Sequence, residues 1–199
     1  MTSANITAPS HAHLPERGLS RGMAGMVLFI ASEIMLFGGL FAGYFFVRNQ
    51  AEVWPPEGVH EVEAVLGGIL TIILVISGLV GHTGIVAAKK GNNQLFVLCM
   101  AGTIILGIIF IGGQAYEWLE LMHEGLTAKS GVYGASFYIL TGFHGAHVIA
   151  GLCMLAVVFV RAYWRDFTPA RHLFADAAML YWHFVDIVWV GLYVILYLT

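Results

Sequence analysis

Ionisable side chains that could hold or move a proton lie within long apolar stretches of this 199-residue chain. Glu33 lies in the first stretch, His144 and His147 in the fourth, and His183 and Asp186 in the fifth. Residues three apart share one helix face, so each pair could exchange hydrogen bonds or a proton. Such groups are costly in hydrocarbon and are candidate functional residues. We expect a buried polar network that ties helices together, or one that takes part in proton movement.

The nine histidines also raise the possibility of metal or haem ligation. However, the sequence has no Cys-x-x-Cys, Cys-x-x-Cys-His or His-Glu-x-x-His string, the motifs that usually mark such sites. The six other histidines are expected in the N-terminal tail, in loops or near the membrane surface; they are His11, His13, His60, His82, His123 and His172. We therefore predict no metal site and no bound cofactor within this chain.

Two further carboxylates are candidates at the membrane boundary. Glu117, close to Glu120, is expected in a wet interfacial cluster at the outer end of the third stretch. Asp176 begins the fifth stretch, where a carboxylate is stabilised by the positive end of the helix dipole. A capping role is the simplest interpretation of Asp176.

The elements that position these residues must be transmembrane helices. The chain is 59% hydrophobic and 11% charged, whereas soluble domains are about 45–50% apolar and about 25% charged. A net charge of -3 gives no indication of a nucleic-acid partner. Each apolar stretch can cross a hydrocarbon core of about 30 Å as a helix. The prediction is an all-α polytopic bundle of five transmembrane helices, spanning residues 23–47, 64–87, 95–118, 137–160 and 177–198.

The domain organisation and the orientation follow from the same pattern. Residues 1–21 form a polar tail, and residues 22–199 form the membrane domain. Of the nine basic residues, Arg48 and Lys129 fall on one side of the membrane and the other seven on the opposite side. The positive-inside rule then places the N-terminus in the cytoplasm and the C-terminus outside.

A series of short motifs resembles subunit III of the haem-copper terminal oxidases, in its five-helix form. The motifs occur in the same order along the chain, and the resemblance covers about residues 18–198. They are Ile-Ala-Ser-Glu at 30–33, Phe-Ala-Gly-Tyr-Phe-Phe at 41–46, Trp-Pro-Pro-Glu-Gly at 54–58, Gln-Ala-Tyr-Glu at 114–117, Gly-Val-Tyr-Gly at 131–134, Thr-Gly-Phe-His-Gly-Ala-His-Val at 141–148, Tyr-Trp-His-Phe-Val-Asp at 181–186 and Val-Trp at 188–189.

The resemblance implies a subunit of a bacterial plasma-membrane oxidase that has no redox centre of its own. The haems and copper that reduce oxygen would lie in subunit I, against which this chain would pack, with subunit II and further subunits in the complex. Cytochrome c would donate electrons. The resemblance also implies bound phospholipid, support of proton uptake toward subunit I, and protection against inactivation during turnover. Glu33 matches the family's carbodiimide-reactive carboxylate.

The chain departs from many relatives in two respects. It lacks the first two of their seven helices, so that the family's lipid cleft is either incomplete or completed by another subunit. Asp176 stands where many relatives have glutamate.

Three other functions remain open from the sequence. A quinol oxidase subunit III is one, although Glu33 and the Trp-Pro-Pro-Glu-Gly turn favour the cytochrome c branch. An independent proton or solute carrier could use Glu33, His144 and Asp186, but we find no inverted repeat and no helix interrupted at mid-depth. A diheme cytochrome is disfavoured by the close histidine spacing.

Overall fold

The computed structural model describes residues 20–55, 64–165, 167 and 172–198. These residues form helices and connecting turns and contain no strand. The helices are α1 (Arg21–Arg48), α2 (Ala64–Lys89), α3 (Asn93–His123), α4 (Val132–Tyr163) and α5 (Leu173–Tyr197). All five are long and apolar enough to cross a membrane, which confirms the predicted all-α bundle.

The helices extend beyond most of the predicted apolar spans. α3 continues to His123 and α4 begins at Val132, because polar and aromatic residues prolong these helices past their apolar centres. Residues 1–19 of the predicted polar tail lie outside the described residues. The direction in which the chain crosses the membrane stays a prediction.

Local hydrogen bonds define where two helices begin. The Ser20 hydroxyl accepts a hydrogen bond from the Met23 backbone N–H at the start of α1. The Asn92 side chain does the same for Leu95 at the start of α3. Between α2 and α3, Gly91 adopts a positive φ of 75°, a conformation that glycine allows without steric cost. Gly91, Asn92 and Asn93 therefore form the tight turn between the two helices.

α5 has the largest buried share of the five helices. It packs against α1, α2 and α4, while α3 packs against α2 and α4. Its Trp182 and Trp189 side chains are fully buried, and their indole N–H groups donate hydrogen bonds to Ser77 and Thr71 of α2, at 3.0 Å in each case. The aromatic residues of α5 therefore pack in the core and satisfy their polar atoms there.

Glycines on two neighbouring helices make room for Trp182. A Cβ atom at Gly107 of α3 or at Gly151 of α4 would lie 2.8 Å from the indole ring. Larger residues at these positions would push the ring out of the core.

Candidate functional site

The carboxylate of Glu33 on α1 contacts the imidazole of His147 on α4. Glu33 Oε2 lies 2.9 Å from His147 Nε2, and the two side chains are 16% and 14% exposed. The other ring nitrogen, Nδ1, lies 2.7 Å from the carbonyl oxygen of Phe143, one turn earlier on α4. A carbonyl oxygen only accepts hydrogen bonds, so Nδ1 carries a hydrogen and Nε2 is the nitrogen that faces Glu33.

This geometry defines how many protons the Glu33–His147 pair holds. Besides the hydrogen on Nδ1, one proton lies between Nε2 and the carboxyl group. It resides either on the carboxyl oxygen, with a neutral imidazole, or on Nε2, with a carboxylate. Both forms are neutral overall, so the proton can cross the contact without changing the net charge of the pair.

Aromatic residues of two helices hold the His147 ring. Phe37 of α1 presents its edge at a ring-centroid distance of 5.0 Å. Tyr181 of α5 stacks at 6.5 Å and donates a hydrogen bond from its hydroxyl to the backbone carbonyl of His147, at 3.3 Å. Neither residue was predicted from the sequence to belong to this site. A buried tyrosine hydroxyl within a transmembrane helix needs a hydrogen-bond partner. That need is the one feature of the sequence that could have indicated a polar contact for Tyr181.

His144 lies one turn before His147 but has different neighbours. Its ring is fully buried between Phe110 of α3, at 5.8 Å, and Trp189 of α5, at 5.0 Å. Neither of its nitrogens has a hydrogen-bond partner among the described residues. His144 therefore does not extend the Glu33–His147 pair, because α4 turns it toward α3 and α5 instead of α1.

The predicted proximity of His183 and Asp186 occurs on the flank of α5 that faces α2. His183 Nδ1 lies 3.7 Å from Asp186 Oδ2, which is too long for a hydrogen bond. The carboxylate occupies space left by Gly78 of α2, where a Cβ atom would overlap it. His82, also on α2, places its ring 5.9 Å from that of His183. These residues line a groove of about 580 Å³ between α2 and α5.

The expected single polar network is thus divided into separate sites. Within the described part of the chain, no hydrogen bond connects Glu33–His147 with His144 or with Asp186. The groups are separated because α4 turns His147 toward α1 and His144 toward α3 and α5, whereas Asp186 on α5 faces α2.

The prediction of a wet interfacial cluster is wrong for Glu117. Its side chain is only 3% exposed, and it accepts a hydrogen bond of 2.8 Å from the Tyr197 hydroxyl. Gln114, one turn earlier on α3, donates to the backbone carbonyl of Thr141 on α4. The end of α5 and the neighbouring α4 cover this side of α3, so the carboxylate lies inside the bundle.

Asp176 has a different role from the predicted helix cap. The residue at the N-cap of α5 is His172, which makes no side-chain capping bond. Asp176 lies in the first turn, where it contacts His172 Nδ1 at 2.7 Å and Lys89 Nζ at 3.2 Å. The carboxylate therefore connects the last turn of α2 to the first turn of α5, and it also lies near the positive end of the α5 dipole.

Metal-ligating side chains do not converge in the part of the chain that the structure describes. No three His, Cys, Asp or Glu residues there are grouped in a way that could hold a metal ion. His11, His13 and His60 lie outside the described residues. That the chain binds no redox metal stays a prediction.

Comparison with known proteins identifies the family. A family model for cytochrome c oxidase subunit III matches residues 3–199. The chain belongs to the cytochrome c oxidase subunit III family. A protein from Corynebacterium diphtheriae named cytochrome c oxidase subunit 3 is 42% identical over 176 residues, covering 87% of this chain and 85% of the relative. One of the same name from Synechocystis is 40% identical over 195 residues, covering 96% and 81%.

The similarity extends to a probable cytochrome c oxidase subunit 3 from Mycobacterium bovis, which is 38% identical over 178 residues, covering 87% of this chain and 85% of the relative. As a subunit III of a haem-copper oxidase, the chain is a multi-pass membrane component of an oxidoreductase complex with other subunits. The expected resemblance is confirmed.

Proposed function

We propose that this chain is a subunit without a redox centre in a bacterial plasma-membrane cytochrome c oxidase. It packs directly against subunit I, in a complex that includes subunit II, and the partner subunits carry the haems and copper. The observation that supports this assignment is the match to the subunit III family over residues 3–199. The bacterial sources of the relatives support the membrane assignment.

The Glu33–His147 pair is proposed to support proton uptake by the complex and its stability during turnover. The pair holds one proton at the contact between α1 and α4, on side chains that are partly exposed at the edge of the bundle. α1 packs against only α4 and α5 among the described helices, so the pair also fixes a peripheral helix. Proton transfer and helix attachment therefore depend on the same two side chains.

The electron donor to the complex is proposed to be cytochrome c. The relatives of this chain are named as cytochrome c oxidase subunits, which supports the choice. Oxygen consumption by the purified complex should be sustained by reduced cytochrome c. Consumption sustained by a quinol but not by reduced cytochrome c would assign the chain to a quinol oxidase instead.

Phospholipid is proposed to cover the outer face of α1. That face exposes large apolar side chains, including Leu28, Met35 and Phe46. Mass spectrometry of the delipidated complex should find phospholipid retained with the intact assembly. Loss of all phospholipid while the complex stays active would contradict this part of the proposal.

Affinity purification of the tagged chain from native membranes tests the main assignment. We expect a haem-copper subunit in the purified complex, and no visible haem absorption in this chain once it is separated. A chain that purifies without oxidase subunits, or that has its own haem spectrum, would contradict the assignment. These two outcomes would favour a carrier and a diheme cytochrome respectively.

A further inference from the structure

The outer flank of α5 is an uncovered surface with helical periodicity. α1 and α2 do not contact each other in the described part of the chain, and α5 lies between them. Beyond its first turn, α5 exposes a single stripe along its length, which we call the α5 stripe: Leu180, His183, Ile187, Val190 and Val194. Successive members are three, four, three and four residues apart, which is the spacing of a seam that packs against another helix.

A groove follows each side of the α5 stripe. The groove toward α1 has a volume of about 500 Å³ and is lined on that side by Ile30, Ile34 and Phe41. The groove toward α2 has a volume of about 580 Å³ and includes Val75 and Leu79. Helices pack by fitting the side-chain ridges of one helix into the grooves of another, and a ridge between two grooves allows this packing.

The α5 stripe also carries a polar side chain that lipid chains cannot satisfy. The His183 side chain is 37% exposed. Asp186 lies beside it, but its side chain is nine-tenths buried and its Oδ1 atom is enclosed within this chain, so the polar group that faces outward is the His183 imidazole. His82 lines the same groove. Polar groups on transmembrane helices typically bond to a neighbouring helix, and a polar residue within an apolar seam fixes its register.

We propose that the α5 stripe, between α1 and α2, is the docking site for a transmembrane helix of another oxidase subunit. The docked helix presents a hydroxyl or amide group at the depth of His183. The proposal rests on the proposed function, because it takes the partner from the oxidase complex.

The chemistry of the stripe favours such a helix over lipid, because an acyl chain offers no hydrogen bond to His183. A second copy of this chain is the other possible occupant. The chain is one component of a complex with other subunits, so we take the docked helix from one of those subunits.

Site-specific photo-crosslinking in the intact complex tests the proposal. A benzophenone amino acid replaces Ile187 in the stripe or, as a control, Ile108 on the outer face of α3. Both positions are exposed isoleucines, at 72% and 57%, and both lie about 21–22 Å from the start of their helices. After irradiation, mass spectrometry identifies the adducts. We expect position 187 to crosslink to a transmembrane segment of another oxidase subunit.

Adducts of position 187 with lipid alone, or with a second copy of this chain, would overturn the proposal. Absence of an adduct at 187 while position 108 reacts with lipid would do the same. In each case the chain would still co-purify with the oxidase, so the proposed function would stand. A chain that does not co-purify with a haem-copper oxidase would contradict the proposed function itself.

A bulky substitution provides a second measurement. Ile187→Trp should lower the amount of other oxidase subunits recovered per chain several-fold, because the indole obstructs the ridge, whereas Ile108→Trp should leave the recovery unchanged. Both side chains point outward, so each variant should fold, as checked by its helical circular dichroism. Recovery of the Ile187→Trp complex at the wild-type ratio would contradict the docking site.

Discussion

Glu33 Oε2 and His147 Nε2 lie 2.9 Å apart, at the contact between the peripheral helix α1 and the bundle. The second nitrogen of His147 is committed to the Phe143 carbonyl, so the contact with Glu33 is fixed in orientation and contains one proton. The pair can transfer that proton internally at constant net charge. This property distinguishes it from His144, which is enclosed by aromatic rings.

Removing the Glu33 carboxylate should weaken the packing of α1 against α4. Glu33→Ala leaves His147 Nε2 without its partner, and we expect the free energy of unfolding to fall by about 1–3 kcal/mol. Ser32→Ala is the matched control, since Ser32 is exposed and its hydroxyl bonds only locally, to the Phe29 carbonyl. Unfolding of the reconstituted chain by denaturing detergent measures both. Equal stability of the two variants would show that the Glu33–His147 contact does not hold α1.

Glycine at position 107 is expected to be essential for packing around Trp182. An added Cβ atom would lie 2.7 Å from Leu152 and 2.8 Å from Trp182, so Gly107→Ala should destabilise the bundle by about 1–3 kcal/mol. Gly112→Ala, on the same helix, meets no neighbour within 4 Å and should be neutral or slightly stabilising. The same unfolding assay, with Trp fluorescence as the probe, distinguishes the variants. A Gly107→Ala variant with the wild-type free energy of unfolding would mean that the core repacks around the added methyl group at no cost.

The buried contact between Glu117 and Tyr197 should contribute to the attachment of the end of α5. Tyr197→Phe removes the hydroxyl that donates to the carboxylate, and we expect a loss of about 1–3 kcal/mol. Tyr116→Phe, at a side chain that is 59% exposed, should change stability little. Hydrogen exchange of the last turns of α5 provides a local measurement. Unchanged protection in Tyr197→Phe would contradict a structural role for this hydrogen bond.

The sequence predicts the helices well because their cause is local. A long apolar stretch must satisfy its backbone within the membrane, so each stretch forms a helix whatever its neighbours are. The positions of the ionisable residues along each helix are equally local, because they follow from counting residues from the ends of the apolar stretches. These residues are Glu33, His147, His183 and Asp186. The proximity of His183 and Asp186 is also local, because they are three residues apart on α5.

Contacts between helices depend on rotations that one sequence does not determine. Glu33 could have met His144 or His147, and the choice depends on how α4 is turned relative to α1. The burial of Glu117 likewise depends on Tyr197, which lies 80 residues further along the chain. The link from Asp176 to Lys89 requires that the end of α2 lie beside the start of α5. These relationships come from the packing of the bundle.

The turnover of the oxidase that contains Glu33→Gln tests most directly whether the shared proton has a function. The glutamine amide can donate a hydrogen bond to His147 Nε2 but cannot pass a proton to it, so assembly should be preserved. We expect proton uptake to slow or the active lifetime during sustained oxygen reduction to shorten, measured on the variant and wild-type complexes side by side. Wild-type proton uptake together with a wild-type active lifetime in the assembled variant would contradict a functional role for the Glu33–His147 pair.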